Sequence, residues 1–102
     1  MIVTGFKNDP DGPWIEIDPE AIKDYSIDWT DNLPNGDSIA TSVWSAENGI
    51  LASAPDADTS IATIWLAPGT VTEGKAYRIT NKITTAQGRT DRRSFRLVVR
   101  PQ

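Results

Sequence analysis

Gly74–Arg100, with the sequence GKAYRITNKITTAQGRTDRRSFRLVVR, consists of two alternating runs joined by a short polar turn around Gly88. Within each run the apolar residues share one parity, and these residues are Tyr77, Ile79 and Ile83, then Phe95, Leu97 and Val99. A period of two in β-branched and aromatic residues predicts an antiparallel hairpin with one buried face. The remaining strands of the chain must pack against that face.

Five earlier segments also have the composition of short strands, and turn residues separate them at intervals of about ten residues. They are Pro13–Ile17, Tyr25–Trp29, Ile39–Ser45, Ile50–Ser53 and Ile61–Ala67. Asn48-Gly49 predicts a tight hairpin between the third and the fourth, because a type I′ turn needs positive φ at both central residues. Glu20–Lys23, which follows Asp18 and Pro19, is predicted to form one helical turn.

This pattern predicts an all-β fold, an immunoglobulin-like antiparallel β-sandwich of about seven strands without a disulfide. Tyr77 precedes the inward Ile79 by two residues, which is the position of a tyrosine corner. Trp44 lies where the central buried tryptophan of the third strand is expected. Because Ile39 and Val43 have the opposite parity, either Trp44 faces inward beside small residues or a bulge accommodates both sets.

Asn81 is a polar residue on the parity of the buried positions Ile79 and Ile83. A buried amide without hydrogen bonds costs about 1–3 kcal/mol. We therefore expect the Asn81 side chain to be hydrogen-bonded, either holding a neighbouring loop or marking a bulge.

The chain has 102 residues, the size of a single domain. We expect residues 1–12 to form an N-terminal arm or edge segment and residues 13–102 to form the sandwich domain. The sequence contains no cysteine and no histidine, which removes thiol chemistry and the commonest general base. Its acidic residues lie singly on predicted turns rather than in the pairs that glycoside hydrolysis needs. The sequence therefore predicts that the protein is not an enzyme.

Two short acidic stretches, DPDG at Asp9 and PDAD at Asp56, contain two acids each. A calcium loop supplies more oxygen ligands at a fixed spacing, and turn formation explains these aspartates equally well. We expect no metal ion and no other cofactor.

The first residues, MIVTGFKND, lack a basic region followed by a long apolar run. No apolar stretch approaches the roughly 20 residues that span a bilayer. We therefore expect synthesis in the cytoplasm and no membrane association. The net charge of −4 argues against nucleic acid as a partner, because nucleic-acid binding needs a basic face.

Charge is distributed unevenly along the chain. Aspartate dominates residues 1–60, whereas residues 78–100 contain the basic side chains Arg78, Lys82, Arg89, Arg92, Arg93, Arg96 and Arg100. Such polarity is compatible with a solvated hairpin face or with head-to-tail packing of identical or related subunits.

Four tryptophans are present. Trp29 and Trp44 are predicted to lie in the core, whereas Trp14 and Trp65 are candidates for exposure. Exposed tryptophan is enriched at the centres of protein interfaces, and it can also form a platform for sugars. An immunoglobulin-like module that binds carbohydrate or a cell surface is therefore the alternative function.

Three stretches are distinctive in combination: DPEAIKDYSIDWTDNLPNGDSIATSVW, ATIWLAPGT and YRITNKITTAQGRTDRRSFRLVVR, which together lie within Asp18–Arg100. Together the stretches resemble a family of small tailed-bacteriophage proteins, the phage fibre–tail adaptor proteins. The resemblance implies an immunoglobulin-like structural or assembly protein without a catalytic role. It also implies assembly in the host bacterial cytoplasm and a place in the virion.

The partners implied by the resemblance are other phage structural proteins of the tail, the fibre or the head–tail connector, and a homo-oligomer is also compatible with it. We expect docking through edge strands and through the exposed side of the last hairpin. The predicted interface residues are Arg92, Arg93 and Arg96, with Trp65 as an anchor. Arginine suits such a contact, because its planar fork pairs with carboxylates and its stem covers apolar surface.

Overall fold

The computed structural model describes residues 6–10 and 12–101. In it, two sheets pack face to face. The strands in this part of the chain are β1 (Lys7–Asp9), β2 (Gly12–Ile17), β3 (Lys23–Asp28), β4 (Ile39–Ala46), β5 (Ile50–Ala57), β6 (Ile61–Pro68), β7 (Ala76–Thr85) and β8 (Thr90–Val99). A short 3₁₀ helix lies at Thr30–Asn32. The predicted all-β sandwich is confirmed, since seven strands have six or more residues and β1 adds a three-residue edge.

The chain passes from one sheet to the other four times, between β2 and β3, β3 and β4, β4 and β5, and β6 and β7. One sheet has the order β1-β2-β8-β7-β4 and the other has the order β3-β6-β5. β2 runs parallel to β8, and the other paired strands are antiparallel. This distribution of strands between two sheets is that of an immunoglobulin-like sandwich.

Part of the predicted N-terminal arm belongs to the larger sheet. β1 pairs with β2, and the ring of Phe6 packs edge-on against Phe95 and Tyr25, with centroid distances of 4.8 and 6.1 Å. Residues 1–5 and 11 of the arm lie outside the described residues. β1 is the edge strand of the larger sheet.

The core lies between the two sheets and is apolar. The hairpin β7–β8 contributes the side chains that its alternation predicted to face inward. All of them are buried: Tyr77, Ile79, Ile83, Phe95, Leu97 and Val99. The facing sheet contributes the inward residues of β3 and β6, which are Tyr25, Ile27, Ala62, Ile64 and Leu66. Hydrophobic packing therefore joins the sheets at the place where related sandwiches use a disulfide.

Tyr77 forms the predicted tyrosine corner, because its buried hydroxyl accepts a hydrogen bond from the Thr72 N–H at 2.8 Å. Trp44 faces inward and is half-buried against the core. A register shift between Ile39 and Thr41 lets Ile39 pack against the core as well. The first alternative therefore holds, and the bulge brings Ile39 but not Val43 to the core, since Val43 is 61% exposed.

Asn81 is fully buried and hydrogen-bonded, as its parity predicted. Its Oδ1 accepts from the indole N–H of the buried Trp29 at 3.0 Å. Its Nδ2 donates to the Ser42 hydroxyl at 2.9 Å and to the Val43 carbonyl at 3.3 Å. The amide ties strand β4 and the segment after β3, where Trp29 lies, to β7, so the expected contact with a neighbouring loop is present.

Two local predictions were wrong. Glu20–Lys23 is not helical, because Asp18 accepts the Glu20 N–H and closes a turn, and β3 begins at Lys23. Asn48-Gly49 does not join a hairpin, because β4 pairs with β7 whereas β5 pairs with β6. Gly49 instead has φ +109°, and a Cβ there would meet the Thr70 carbonyl at 2.5 Å. Gly49 therefore permits this close approach at the point where the chain crosses from β4 in one sheet to β5 in the other.

Candidate protein interface

The outward residues of the last hairpin form a surface without an acidic side chain. Alternation along β7 and β8 points Arg78, Lys82 and Arg92 away from the core, and all three are exposed. In the described part of the chain, no carboxylate pairs with any of these three side chains. We call this surface the basic face and define it by Arg78, Lys82 and Arg92.

The register of the hairpin places like charges opposite each other. Lys82 is the cross-strand partner of Arg92, and Arg78 is the partner of Arg96. Opposed side chains on one face have their Cβ atoms about 4.5–5.5 Å apart, and like charges in such pairs are destabilising. The Thr80 and Ser94 hydroxyls lie between the two pairs and are joined by a 2.8 Å hydrogen bond. The strands thus hold unneutralised positive charge on a rigid support.

The four other basic residues of segment 78–100 are neutralised within the molecule. Their ion pairs are Arg89 with Asp37 at 3.5 Å, Arg93 with Asp91 at 3.0 Å, Arg96 with Asp9 at 2.5 Å and Arg100 with Glu16 at 3.7 Å. A hollow of about 360 Å³ lies beside the unneutralised pair and is lined by Lys82, Thr90, Asp91 and Arg92. The two cations at its rim suit a carboxylate from a partner.

Asp37 fixes the turn at the tip of this hairpin. Its buried carboxylate accepts the backbone N–H groups of Ser38 and Gln87 at 2.9 and 3.1 Å and pairs with Arg89. Burial by itself raises the pKa of Asp37. The hydrogen bonds from Thr85, Ser38 and Gln87, together with the Arg89 charge, outweigh burial and hold the pKa below its ordinary value.

This shift predicts a pH dependence of stability. Because the pKa of Asp37 is lower in the folded protein, its contribution is complete above the ordinary value near 4 and is lost as pH falls through the folded pKa. We expect the free energy of unfolding to fall with acidification below about pH 4 and to fall less steeply in Asp37→Asn. Urea unfolding at a series of pH values measures both slopes, and equal slopes would exclude this role for Asp37.

The outer side of the smaller sheet has the opposite character. It presents the exposed apolar residues Trp65, Leu51 and Ile61, with Trp65 41% and Leu51 62% exposed. Asp24 is the cross-strand neighbour of Trp65, and Asp56 lies diagonally from it on β5. The outward residues of β3, β5 and β6 include no lysine or arginine. We call this surface the Trp65 face and define it by these five residues.

The four predicted interface residues do not form one surface. Arg92 and Arg96 share the outer side of the larger sheet. Arg93 lies on the opposite side of β8, where its guanidinium carbon is 5.5 Å from the centroid of the Trp29 ring. Trp65 belongs to the other sheet. Arg78 and Lys82 were overlooked as site residues, although the even parity that they share with Arg92 and Arg96 places them on this side.

The four tryptophans are likewise dispersed. Trp29 is buried, Trp44 faces the core, and Trp14 lies on the outer side of the larger sheet beneath the Lys7 ammonium at 5.0 Å. Trp65 is on the outer side of the smaller sheet. The fold does not assemble them into a common aromatic platform.

A groove of about 370 Å³ runs along β3 and is lined by Phe6, Ile15, Tyr25 and neighbouring residues. Burial, with a smaller effect of Asp24, raises the pKa of Tyr25 to about 12, so the hydroxyl is neutral at physiological pH.

Among the described residues, no three His, Cys, Asp or Glu side chains are grouped so that they could hold a metal ion. No helix in that part of the chain is long and apolar enough to cross a membrane.

Comparison with known proteins gives one family. A protein-family model described as Podophage GP4 fiber-tail adaptor protein gp77 matches residues 18–98. The match runs from the turn before β3 almost to the end of β8, so it includes β3 to β8 without the last residue of β8, and it leaves out β1 and β2. No curated protein sequence matches the chain significantly.

Proposed function

The chain belongs to the podophage fiber-tail adaptor family, and on this basis we propose that it links tail and fibre proteins of the virion by docking through its basic face. In this role the protein is structural and performs no catalysis. It is made and assembled in the host cytoplasm and remains in the particle. The observation that carries the proposal is the unneutralised cross-strand pair Lys82 and Arg92.

Charge repulsion between Lys82 and Arg92 destabilises the folded protein, and an acidic partner would remove this repulsion. Two cations held side by side on a sheet repel each other, whereas the four other basic residues of the hairpin have internal acidic partners. An acidic surface that covers the basic face converts this repulsion into charge-assisted hydrogen bonds. Arg78 and Arg96 extend the same face along the hairpin.

The rigidity of the site also suits an adaptor. The face is built on paired strands rather than on a loop, and Asp37 ties the hairpin tip to the segment before β4. Preformed side chains lose less entropy on binding than side chains on a mobile loop. Steering by opposite charge makes the association rate fall as salt is added.

The proposal is tested in a phage that encodes the protein, by substituting Lys82→Glu and Arg92→Glu together. Like-charge contact costs several kcal/mol, so the affinity for an acidic partner is expected to fall at least about tenfold. Electron microscopy of purified particles is expected to show heads and tails with missing fibres. Infectivity is expected to fall with the number of fibres.

Lys23→Glu with Lys75→Glu is the matched control, since it changes the net charge equally at two exposed positions outside the basic face. These control particles are expected to retain their fibres. Virions of the Lys82→Glu, Arg92→Glu phage that carry a full set of fibres would show that the basic face is not the docking surface.

A further inference from the structure

The two outer surfaces of the sandwich are complementary to each other. Among the residues that the structure describes, the three cations of the basic face have no ion pair, and the outward residues of β7 and β8 include no acid. The Trp65 face carries Asp24 and Asp56 and no cation among its outward residues. Because the faces belong to different sheets, they point in opposite directions and cannot meet within one molecule. Two copies can bring them together.

We propose that copies of this chain associate head to tail, with the basic face of one copy docked on the Trp65 face of the next. The inference rests on the proposed docking role of the basic face and names the partner of that face as a second copy. Opposite charge supplies the orientation, and the exposed Trp65, Leu51 and Ile61 supply apolar area to bury.

The tryptophans of the molecule support this pairing. Trp29 is covered by the guanidinium of Arg93 at 5.5 Å, and Trp14 is covered by the ammonium of Lys7 at 5.0 Å. Trp65 has no cation over its ring in the described part of the chain, although it is 41% exposed. Aromatic faces attract Lys and Arg. Arg92 or Lys82 of the next copy provides the cation that Trp65 lacks.

The geometry also selects the type of symmetry. A two-fold dimer would place the basic face on itself or the Trp65 face on itself, and both contacts oppose like charges. A head-to-tail contact uses a different surface on each copy and therefore continues to a ring or a filament. The broad side of the molecule measures up to 42 by 28 Å, enough for the about 800 Å² that each partner buries in a standard interface.

The test measures sedimentation of the full chain at about 100 µM, above the micromolar dissociation constants of weak interfaces of this size. Wild-type protein is expected to associate at about 0.05 M salt and to dissociate as salt rises. Lys82→Glu with Arg92→Glu inactivates one face, and Asp24→Lys with Asp56→Lys inactivates the other. Each variant alone is expected to be monomeric, with at least about tenfold weaker association.

Mixing the two variants is decisive, because each keeps the face that the other has lost. The mixture is expected to regain association with the two variants alternating, because the two intact faces meet and the two charge-reversed faces are also complementary. A single chain with all four substitutions reverses both faces and is expected to associate again. Circular dichroism checks folding, and Lys82→Ser with Arg92→Ser replaces the glutamate variant if that variant is unfolded.

Three results would overturn the inference: a monomeric wild-type protein at low salt, variants that associate as well as wild type, or a mixture that remains monomeric. These outcomes are separable from failure of the adaptor role. A monomeric wild-type protein combined with fibre loss in the Lys82→Glu, Arg92→Glu phage would reject the second copy and leave the adaptor role intact. Head-to-tail association combined with fully fibred particles would reject the adaptor role of the basic face and leave the association with a second copy intact.

Discussion

Phe95→Ala is expected to lower the free energy of unfolding by about 3–5 kcal/mol, the usual cost of removing a buried phenyl ring. Phe95 is 1% exposed, and its ring centroid lies 4.8 Å from that of Phe6 and 5.9 Å from that of Tyr25. Truncation leaves a cavity between the sheets and removes two aromatic contacts. A loss of this size is a large fraction of the stability of an ordinary domain. Urea unfolding followed by tryptophan fluorescence measures it.

Val43→Ala is the control for Phe95→Ala. Val43 is an apolar residue of another strand in the same sheet, but it is 61% exposed. Its truncation is expected to change the free energy of unfolding by about 0.5 kcal/mol or less, as for most surface substitutions. A loss below about 1 kcal/mol for Phe95→Ala would place the residue outside a packed core.

Asn81→Leu is expected to cost about 1–3 kcal/mol, although leucine is close to asparagine in size and more apolar. The substitution leaves the Trp29 indole N–H without its acceptor inside the sandwich. It also removes the donors to the Ser42 hydroxyl and the Val43 carbonyl. A buried donor without a partner costs its full desolvation, and the apolar gain of leucine does not offset that loss.

A double-mutant cycle with Trp29→Phe isolates this hydrogen bond. Phenylalanine keeps an aromatic ring but has no N–H to leave unsatisfied. Asn81→Leu is therefore expected to cost less in the Trp29→Phe background, with a coupling energy of about 0.5–3 kcal/mol. Additive losses within about 0.3–0.5 kcal/mol would show that the Trp29–Asn81 bond contributes little to stability.

The parts of the fold that were predicted from sequence are those that depend on alternation. The parity of Tyr77, Ile79 and Phe95 places each residue on one side of its strand. The same parity required that Asn81 be buried. Such inferences need only the pleat of one strand, and the buried positions agree with them.

The wrong predictions concern which strands become neighbours. Asn48-Gly49 favours a hairpin locally, but β4 pairs with β7, whose Asn81 holds it through Ser42 and Val43. Long-range pairing of this kind overrides turn propensity. The turn at Asp18 is a similar case over a shorter distance in sequence. One hydrogen bond to the Asp18 carboxylate, rather than helix propensity, determines its shape.

The same limit applies to the positions of the predicted interface residues. Arg92 and Arg96 were assigned to the outer face from the composition of one strand, and their parity is correct. Alternation along β7 also places Arg78 and Lys82 on the outer side, and only their pairing with Arg96 and Arg92 depends on cross-strand register. The position of Trp65 on a different sheet depends on topology. The cross-strand register and the ion pairs together determine which of the described basic side chains of this hairpin lack an acidic partner.

The most direct test of the adaptor role is cryo-electron microscopy of the junction between tail and fibre in purified virions. The domain is expected to lie at this junction with Arg78, Lys82 and Arg92 covered by an acidic surface of a neighbouring subunit. Absence of the domain from the junction, or a basic face that is open to solvent there, would contradict docking through this face.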